Sequence, residues 1–425
     1  MKVTAVISEY NPLHSGHARH LELARKETGA DYIIAVMSGN YVQRGCPAII
    51  SKYTRAHTAL LSGADLVIEL PLCYSTGSIE FFSMGAVSLI RGTGIASCIS
   101  FGSECGDIDL LKRAALLTAA SGPEEDIKIR ELLSSGMNYS SAVNSVCDLP
   151  DEISELLKSP NNLLAVSYIK AAWALGLECD FHTVRRIGAS YHDDSEGALS
   201  STAIRRSILA GGDNGDGSFC HLLGNKKVTK RTVPIVTSER MPAHAADLLN
   251  EYFENYPPLC EDDLSLLLFY RLLGLRREDL TAYLDVSDSL AAKIVKEYRH
   301  ASSFSDLTGR LKTKDLNYAR ISRALLHILL DIRKDHMDEY RSDGYNYYIK
   351  PLAFKKTAGE LMHSLKDRAS IPIISKNADA PLSLQDRALL MFEEGIKADD
   401  LYEKTACTMC GRSFKSEYER SVIIL

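Results

Sequence analysis

The chain predicts an α/β fold in its first half, a parallel sheet covered on both faces by helices, followed by a mainly helical second half. Three observations predict it. Short, continuous apolar runs recur between helical patterns over the first hundred residues, and such runs are strands buried on both faces. The turn Asn11-Pro12-Leu13-His14-Ser15-Gly16-His17 sits where the first of these strands hands over to a helix. Beyond about residue 235 the apolar period is almost entirely helical.

Taken in order, Val3–Ile7 is the first strand and Ala18–Glu27 the first helix, with Leu21 and Ala24 on one face. Tyr32–Met37 is the second strand, Lys52–Leu61 a helix, Leu66–Leu70 the third strand, Ser78–Ile90 a helix and Cys98–Phe101 the fourth strand. Residues 106–160 read as mostly helical with charged faces. Pro160-Asn161-Asn162 precedes an apolar helix over Leu163–Leu175, whose Trp173, the single tryptophan, is expected in the core. Glu178–Val184 reads as a last strand, followed by Arg185-Arg186. Ser200-Ser201-Thr202 stands before the helix Ala203–Leu209 as an N-cap would. The run Gly211–Gly217 is the clearest break and puts a boundary near 210–235, dividing the chain into units 1–210 and 235–425. The second unit reads as helical from Ala243 to about Ile332, then carries a β-like segment, Tyr347–Leu352, and helices over Phe354–Lys366 and Leu382–Glu394.

Composition narrows the function classes. The 425 residues suffice for two or three domains, and 45% hydrophobic with 24% charged residues is ordinary for a packed protein. A net charge of −6 excludes a global positive field, so a nucleic acid would have to be held by local patches. Two are available: Lys226-Lys227-Val228-Thr229-Lys230-Arg231, and Arg310, Lys312, Lys314, Arg320 and Arg323 around Tyr318. Of ten cysteines only Cys407 and Cys410 have C-x-x-C spacing, with no matching second pair, so reduced thiols are expected rather than zinc. No leader-like apolar run and no segment of transmembrane length is seen. A cytoplasmic protein without membrane contact is expected.

Loops at strand C-termini are the default ligand positions of an α/β sheet. Three such segments are His14–His17, Ser38–Gly45 and Gly102-Ser103-Glu104. The first opens a helix, whose unpaired N–H groups and partial positive charge suit phosphate. Gly16 allows close approach of a ligand to the backbone. His14 and His17, three residues apart, are expected on one face of the first turn, as N–H donors toward a leaving pyrophosphate.

The H-x-G-H element resembles the signature of the nucleotidylyltransferase superfamily, whose members run attack on the α-phosphate of ATP. Ser200-Ser201-Thr202-Ala203-Ile204-Arg205 resembles the second phosphate-binding element of that superfamily. Together with Ser8–His17, Met37–Gly45, Gly63–Pro71, Phe101–Glu104 and Pro160-Asn161-Asn162, these segments resemble the bacterial tRNA(Met) cytidine acetate ligase family. The likeness covers about the first 205 residues and continues more thinly through Arg310–Lys314 and Arg320–Arg323. It implies a Rossmann-like catalytic domain that joins ATP and acetate into acetyl-AMP. It further implies transfer of the acetyl group to N4 of the wobble cytidine of elongator tRNA(Met), with AMP and pyrophosphate released.

Carried over by position, the ATP-binding segment falls on Ile7, Ser8, Glu9, Tyr10, Asn11, Pro12, Leu13, His14, Ser15, Gly16, His17, Ala18, Arg19 and His20. Further nucleotide contacts fall on Gly102, Asn162, Arg186 and Ile187, and phosphate contacts on Ser201 and Thr202. His14 and His17 take the catalytic role. Mg2+ is implied as a bridge between phosphate oxygens, without a strong protein site of its own, and no obligate protein partner is implied. Asn161 and Arg185 adjoin the carried-over positions, and Leu13 and Ser15 depart from the residues common in the family. No general base for acetyl transfer is visible. Two other readings stay open on the residues alone: an adenylyltransferase of a cofactor pathway, and a non-catalytic RNA-binding protein on the same fold.

Overall fold

The computed structural model describes residues 1–119, 125, 128, 129, 131, 132, 137, 139–147, 149–186, 200–209, 240–313 and 316–425. A seven-stranded, mostly parallel sheet organises it, in the order β7-β6-β1-β2-β5-β8-β9. β1 (Val3–Ser8), β2 (Tyr32–Ser38), β5 (Leu66–Leu70), β6 (Cys98–Ser103) and β7 (Asp180–Arg185) form the parallel part. β3 (Tyr41–Val42) and β4 (Cys46–Pro47) make a small antiparallel hairpin just after β2. The fold is therefore the α/β arrangement read from the alternation of apolar runs and helices.

Each strand alternates its side chains between two cores. Val6, Ile33, Ala35 and Met37 pack against α1 (Ser15–Thr28), α2 (Lys52–Leu61), α5 (Ser201–Leu209) and α6 (Ala243–Asn255). Ala5, Ile34, Val36, Ile68 and Ile99 face the opposite core, which includes α3 (Ile79–Thr93) and α4 (Pro160–Ala174). Burial on both faces explains why these strands read as continuous apolar runs. β1 has β2 on one side and β6 on the other, so the crossovers leave it in opposite directions and open a crevice at its C-terminal end.

The second half is mainly helical, including α7 (Tyr318–Leu330) and α8 (Asp386–Cys410), but it also extends the sheet. β8 (Pro351–Phe354) pairs antiparallel with β5, and β9 (Ile423–Ile424) pairs parallel with β8. Strands of four and two residues carry too little periodicity to announce a partner; pairing with β5 sets their place. The boundary expected at 210–235 lies outside the described residues. Trp173 corrects an expectation, since it is 42% exposed. The buried side of α4 is filled by Val166, Ile169 and Ala172, and Trp173 turns outward next to the C-cap. Among the described residues no helix is long and apolar enough to cross a membrane, and the nine described cysteines are free thiols.

Candidate active site

The turn between β1 and α1 places both histidines. His14 is not in the helix: its extended backbone (φ −128°, ψ 174°) makes it the N-cap, and its Nδ1 accepts the Gly16 N–H at 3.0 Å. His17 reaches back, its Nδ1 accepting the His14 N–H at 3.3 Å. Two histidines thus form a reciprocal capping box, with rings stacked at 3.8 Å between centroids. The sequence expectation of one helical face is replaced by this cap geometry. A Cβ on Gly16 would lie 2.8 Å from His14 Cε1, so the glycine is required by the cap.

That pairing settles the tautomers. A nitrogen that accepts a hydrogen bond carries no proton, so each ring keeps its proton on Nε2. Burial, with the charges of Arg186 and Arg205, pushes His14 down to about 4. Burial, with His14 and Arg186, holds His17 well below the ordinary value. At neutral pH both are neutral N–H donors. Tyr10, with φ 48°, packs edge-on against His17 at 5.2 Å.

α5 closes over this turn. Ser201 Oγ donates to the Pro12 carbonyl at 3.2 Å. Arg205 Nη1 donates to the Asn11 carbonyl at 2.6 Å, and Nη2 to Thr202 Oγ1 at 3.3 Å. The Ser-Ser-Thr element and the H-x-G-H turn, nearly two hundred residues apart, are therefore in contact. Asn11 Nδ2 is buried without a partner among the described residues, which is unusual unless a ligand supplies one. Two neutral N–H donors, two arginine charges and a helix N-terminus suit a polyphosphate.

On the β6 side, Gly102 faces Arg186, whose Cγ lies 3.4 Å from where a glycine Cβ would stand. Arg186 Nη1 donates to Asn161 Oδ1 at 3.4 Å. Asn162 is 3% exposed and fully engaged: Oδ1 accepts the Glu104 and Cys105 N–H groups, and Nδ2 donates to the Leu156 carbonyl. Its side chain holds the turn after β6, while Asn161 is the asparagine beside Arg186. Ile187 lies outside the described residues.

Within Ile7–His20 the residues divide. Leu13 is core, Ile7 packs beneath the crevice and Arg19 is exposed. His20 turns toward β6, where Nε2 meets Ser100 Oγ at 3.0 Å, then His182 Nδ1 at 2.9 Å and Glu27 at 2.8 Å. Ser15 opens α1 and its N–H donates to the Arg240 carbonyl. Of the basic segments, Lys226–Arg231 and Lys314 lie outside the described residues. Arg310 pairs with Asp306 and Arg323 with Asp285, both at 3.0 Å. Tyr318 is 38% exposed and donates to Glu261 Oε1 at 3.3 Å.

Sequence reasoning missed two buried devices. Arg55, on α2, is 0% exposed. Its guanidinium donates to the carbonyls of Glu9 (2.7 Å), Ser38 (3.0 Å), Ile50 (3.3 Å) and Gly39. It thereby ties the loop after β1 to the loop after β2. The signal was an arginine on a helix face shared with Ala56, Ala59 and Leu60. The second device is a cluster of Lys52, Lys350, Glu69, Asp399 and Glu417, all nearly fully buried. Lys52 Nζ meets Glu69 at 2.8 Å, Glu417 at 2.7 Å and also Asp399; Lys350 meets Glu69 and Glu417 at 2.9 Å. The three carboxylates converge as metal ligands could, but two ammonium groups stand among them. Burial pushes Asp399 up to about 7, whereas for Glu417 the two lysines outweigh burial and bring it to about 2. Glu69 inside an apolar strand was the visible hint.

Comparison with known proteins agrees in extent with this architecture. The profile of the HIGH Nucleotidyl Transferase family matches residues 1–417. A tRNA(Met) cytidine acetate ligase of Clostridium novyi is 33% identical over the whole of both chains. One from Caldanaerobacter subterraneus is 35% identical over 95% of each. The crystal structure of Thermotoga maritima TmcAL bound with alpha-thio ATP superposes with a TM-score of 0.85 at 27% identity, covering both chains fully.

Proposed function

The chain belongs to the HIGH nucleotidyl transferase family, and within it to the tRNA(Met) cytidine acetate ligases; from that premise we propose how its residues divide the work. The protein is an ATP-dependent ligase that activates acetate as acetyl-AMP and acetylates N4 of the wobble cytidine of elongator tRNA(Met). The observation that carries the reading is the two-histidine capping box, which presents two neutral Nε2–H donors at a helix N-terminus.

In activation, an acetate oxygen attacks the α-phosphorus and the bond to the β-phosphate breaks. Charge builds on the departing pyrophosphate, and donors fixed beforehand stabilise it without rearrangement. His14 and His17 supply those donors. Arg205 and the start of α5, with Ser201 and Thr202, bind the β and γ phosphates. Gly102, Arg186 and the turn held by Asn162 bind the nucleoside end. The unpartnered Asn11 Nδ2 supports the fit of ATP to this turn. Mg2+ would be held by the phosphates of ATP rather than by a site built from this chain's residues, and would offset their charge. Residues 1–210 form the ATP-binding unit, and the stretch 235–425, with Tyr318 and Arg320 at the start of α7, is the tRNA-binding unit. The protein works in the cytoplasm, on acetate and tRNA, without an obligate protein partner.

The test is incubation with ATP, magnesium, acetate and elongator tRNA(Met), read by nucleoside mass spectrometry. N4-acetylcytidine is expected. Its absence where ATP still binds would sink the reading.

A further inference from the structure

The second half-reaction needs groups that the phosphate site does not contain. The cytidine amine must be held against the acetyl carbonyl, and its proton must go to a base. The loop after β1 carries a carboxylate beside the histidine turn. Glu9 directly follows β1 and stands one residue before Tyr10, the ring that packs on His17. Its backbone carbonyl is fixed by Arg55 at 2.7 Å. Its side chain is half-buried, and Oε1 accepts the Gln43 N–H at 2.8 Å. Gln43 belongs to the β3–β4 hairpin, and its own side-chain Nε2 is buried without a partner among the described residues.

The hairpin also reaches the other way. Ser322 Oγ on α7 donates to the Gly45 carbonyl at 2.9 Å. A Cβ on Gly45, which has φ 80°, would stand 2.7 Å from Arg323 Cα. The hairpin is thus seated directly on the helix whose first turn carries Tyr318 and Arg320. One continuous run of contacts leads from the histidines through Glu9 and Gln43 to that helix.

We propose that Glu9 and Gln43 hold the target cytosine, with Glu9 taking the proton from N4. This rests on the ligase reading above. The base's pairing edge offers an amine donor beside ring acceptors. A carboxylate acceptor next to an amide donor is the complementary pair. N4 attacks the acetyl carbon of acetyl-AMP, the C–N bond forms, and the bond from that carbon to the AMP phosphate oxygen breaks. The N4 proton passes to the Glu9 carboxylate and then to water; AMP leaves as the anion.

Glu9→Gln keeps the shape and still accepts the Gln43 N–H, but it takes no proton. Activation is followed by acetate-dependent ATP–pyrophosphate exchange. Transfer is followed by single-turnover acetylation of an elongator tRNA(Met) transcript. Transfer is expected to fall about 100-fold further than exchange, the usual size of a general-base effect, with partial recovery in Glu9→Asp. Gln43→Met should raise the tRNA KM and leave the acetate KM in place. Parallel loss of both half-reactions in Glu9→Gln would overturn the assignment, as would transfer within a few-fold of wild type. Absence of exchange in the wild-type chain would overturn the ligase reading itself.

Discussion

Arg55→Met puts the joint between the two strand-end loops to the test. The guanidinium is 0% exposed and donates to four carbonyl oxygens, those of Glu9, Ser38, Gly39 and Ile50. No carboxylate is among these partners. Two effects oppose each other in the variant. Removing a buried charge relieves a desolvation penalty, which burial already expresses by lowering the Arg55 pKa. Against that, the carbonyls lose their donors inside the protein, and a stranded buried acceptor costs about 1–3 kcal/mol. Even at the low end, four such losses exceed the relief that an apolar chain of similar length brings. A net destabilisation of about 3 kcal/mol is expected, a large share of a typical folding free energy. Arg55→Lys keeps the charge but reaches fewer carbonyls, so it should lie between. Denaturant unfolding measures the loss, and acetate-dependent pyrophosphate exchange measures whether the loops stay aligned. A Met variant within about 0.5 kcal/mol of wild type, with normal exchange, would refute the argument that Arg55 organises the site.

His17→Ala should lower acetyl-adenylate formation by about two to three orders of magnitude, the usual effect of losing one fixed donor, read by pyrophosphate exchange; near-normal activity would show the histidine misassigned. His14 and His20 sit at about 4 in the folded chain, against an ordinary 6.5, so the unfolded chain binds more protons between those values. Stability should therefore rise with pH from about 4 to 6.5 and be complete above it, by up to about 1.4 kcal/mol per pH unit per group. Unfolding series at pH 5 and 7 check this, with His20→Gln expected to flatten the slope. Gly45→Ala should cost about 2–4 kcal/mol, because it adds strain at φ 80° to a clash with the backbone of α7, and a thermal midpoint unchanged from wild type would contradict that packing. Lys350→Met leaves Glu69 and Glu417 short of one compensating charge and should destabilise by about 3–5 kcal/mol in urea unfolding.

Much of this molecule was legible because its signals are local. The double burial of β1, β2, β5 and β6 writes itself as apolar runs, and the handover from β1 to α1 writes itself as a glycine between two histidines. Ser200 announced the N-cap of α5, where its Oγ accepts the Ala203 N–H. Misreadings came where a side chain's direction was decided by neighbours far along the chain. Trp173 had the right composition around it and the wrong orientation. The carboxamide of Asn162 is likewise placed by Glu104, Cys105 and Leu156, partners that its own segment does not announce.

By itself, then, the sequence determined the parallel α/β core, the His14–His17 turn at the start of α1 and, through ordered motifs, the ligase family. Periodicity and capping depend on residues within a turn or two of each other, so one strand of text suffices to read them. Only the tertiary structure decided the rest. It made the two histidines a reciprocal cap with both protons on Nε2, because that follows from distances of 3.0 and 3.3 Å. It brought Arg205 onto Asn11, Arg55 onto Glu9 and Ser38, and α7 onto Gly45. It also returned β8 and β9 from the chain's far end to the sheet edge. Such contacts arise from buried polar groups finding partners well beyond their own element, and no local pattern encodes which partner that will be.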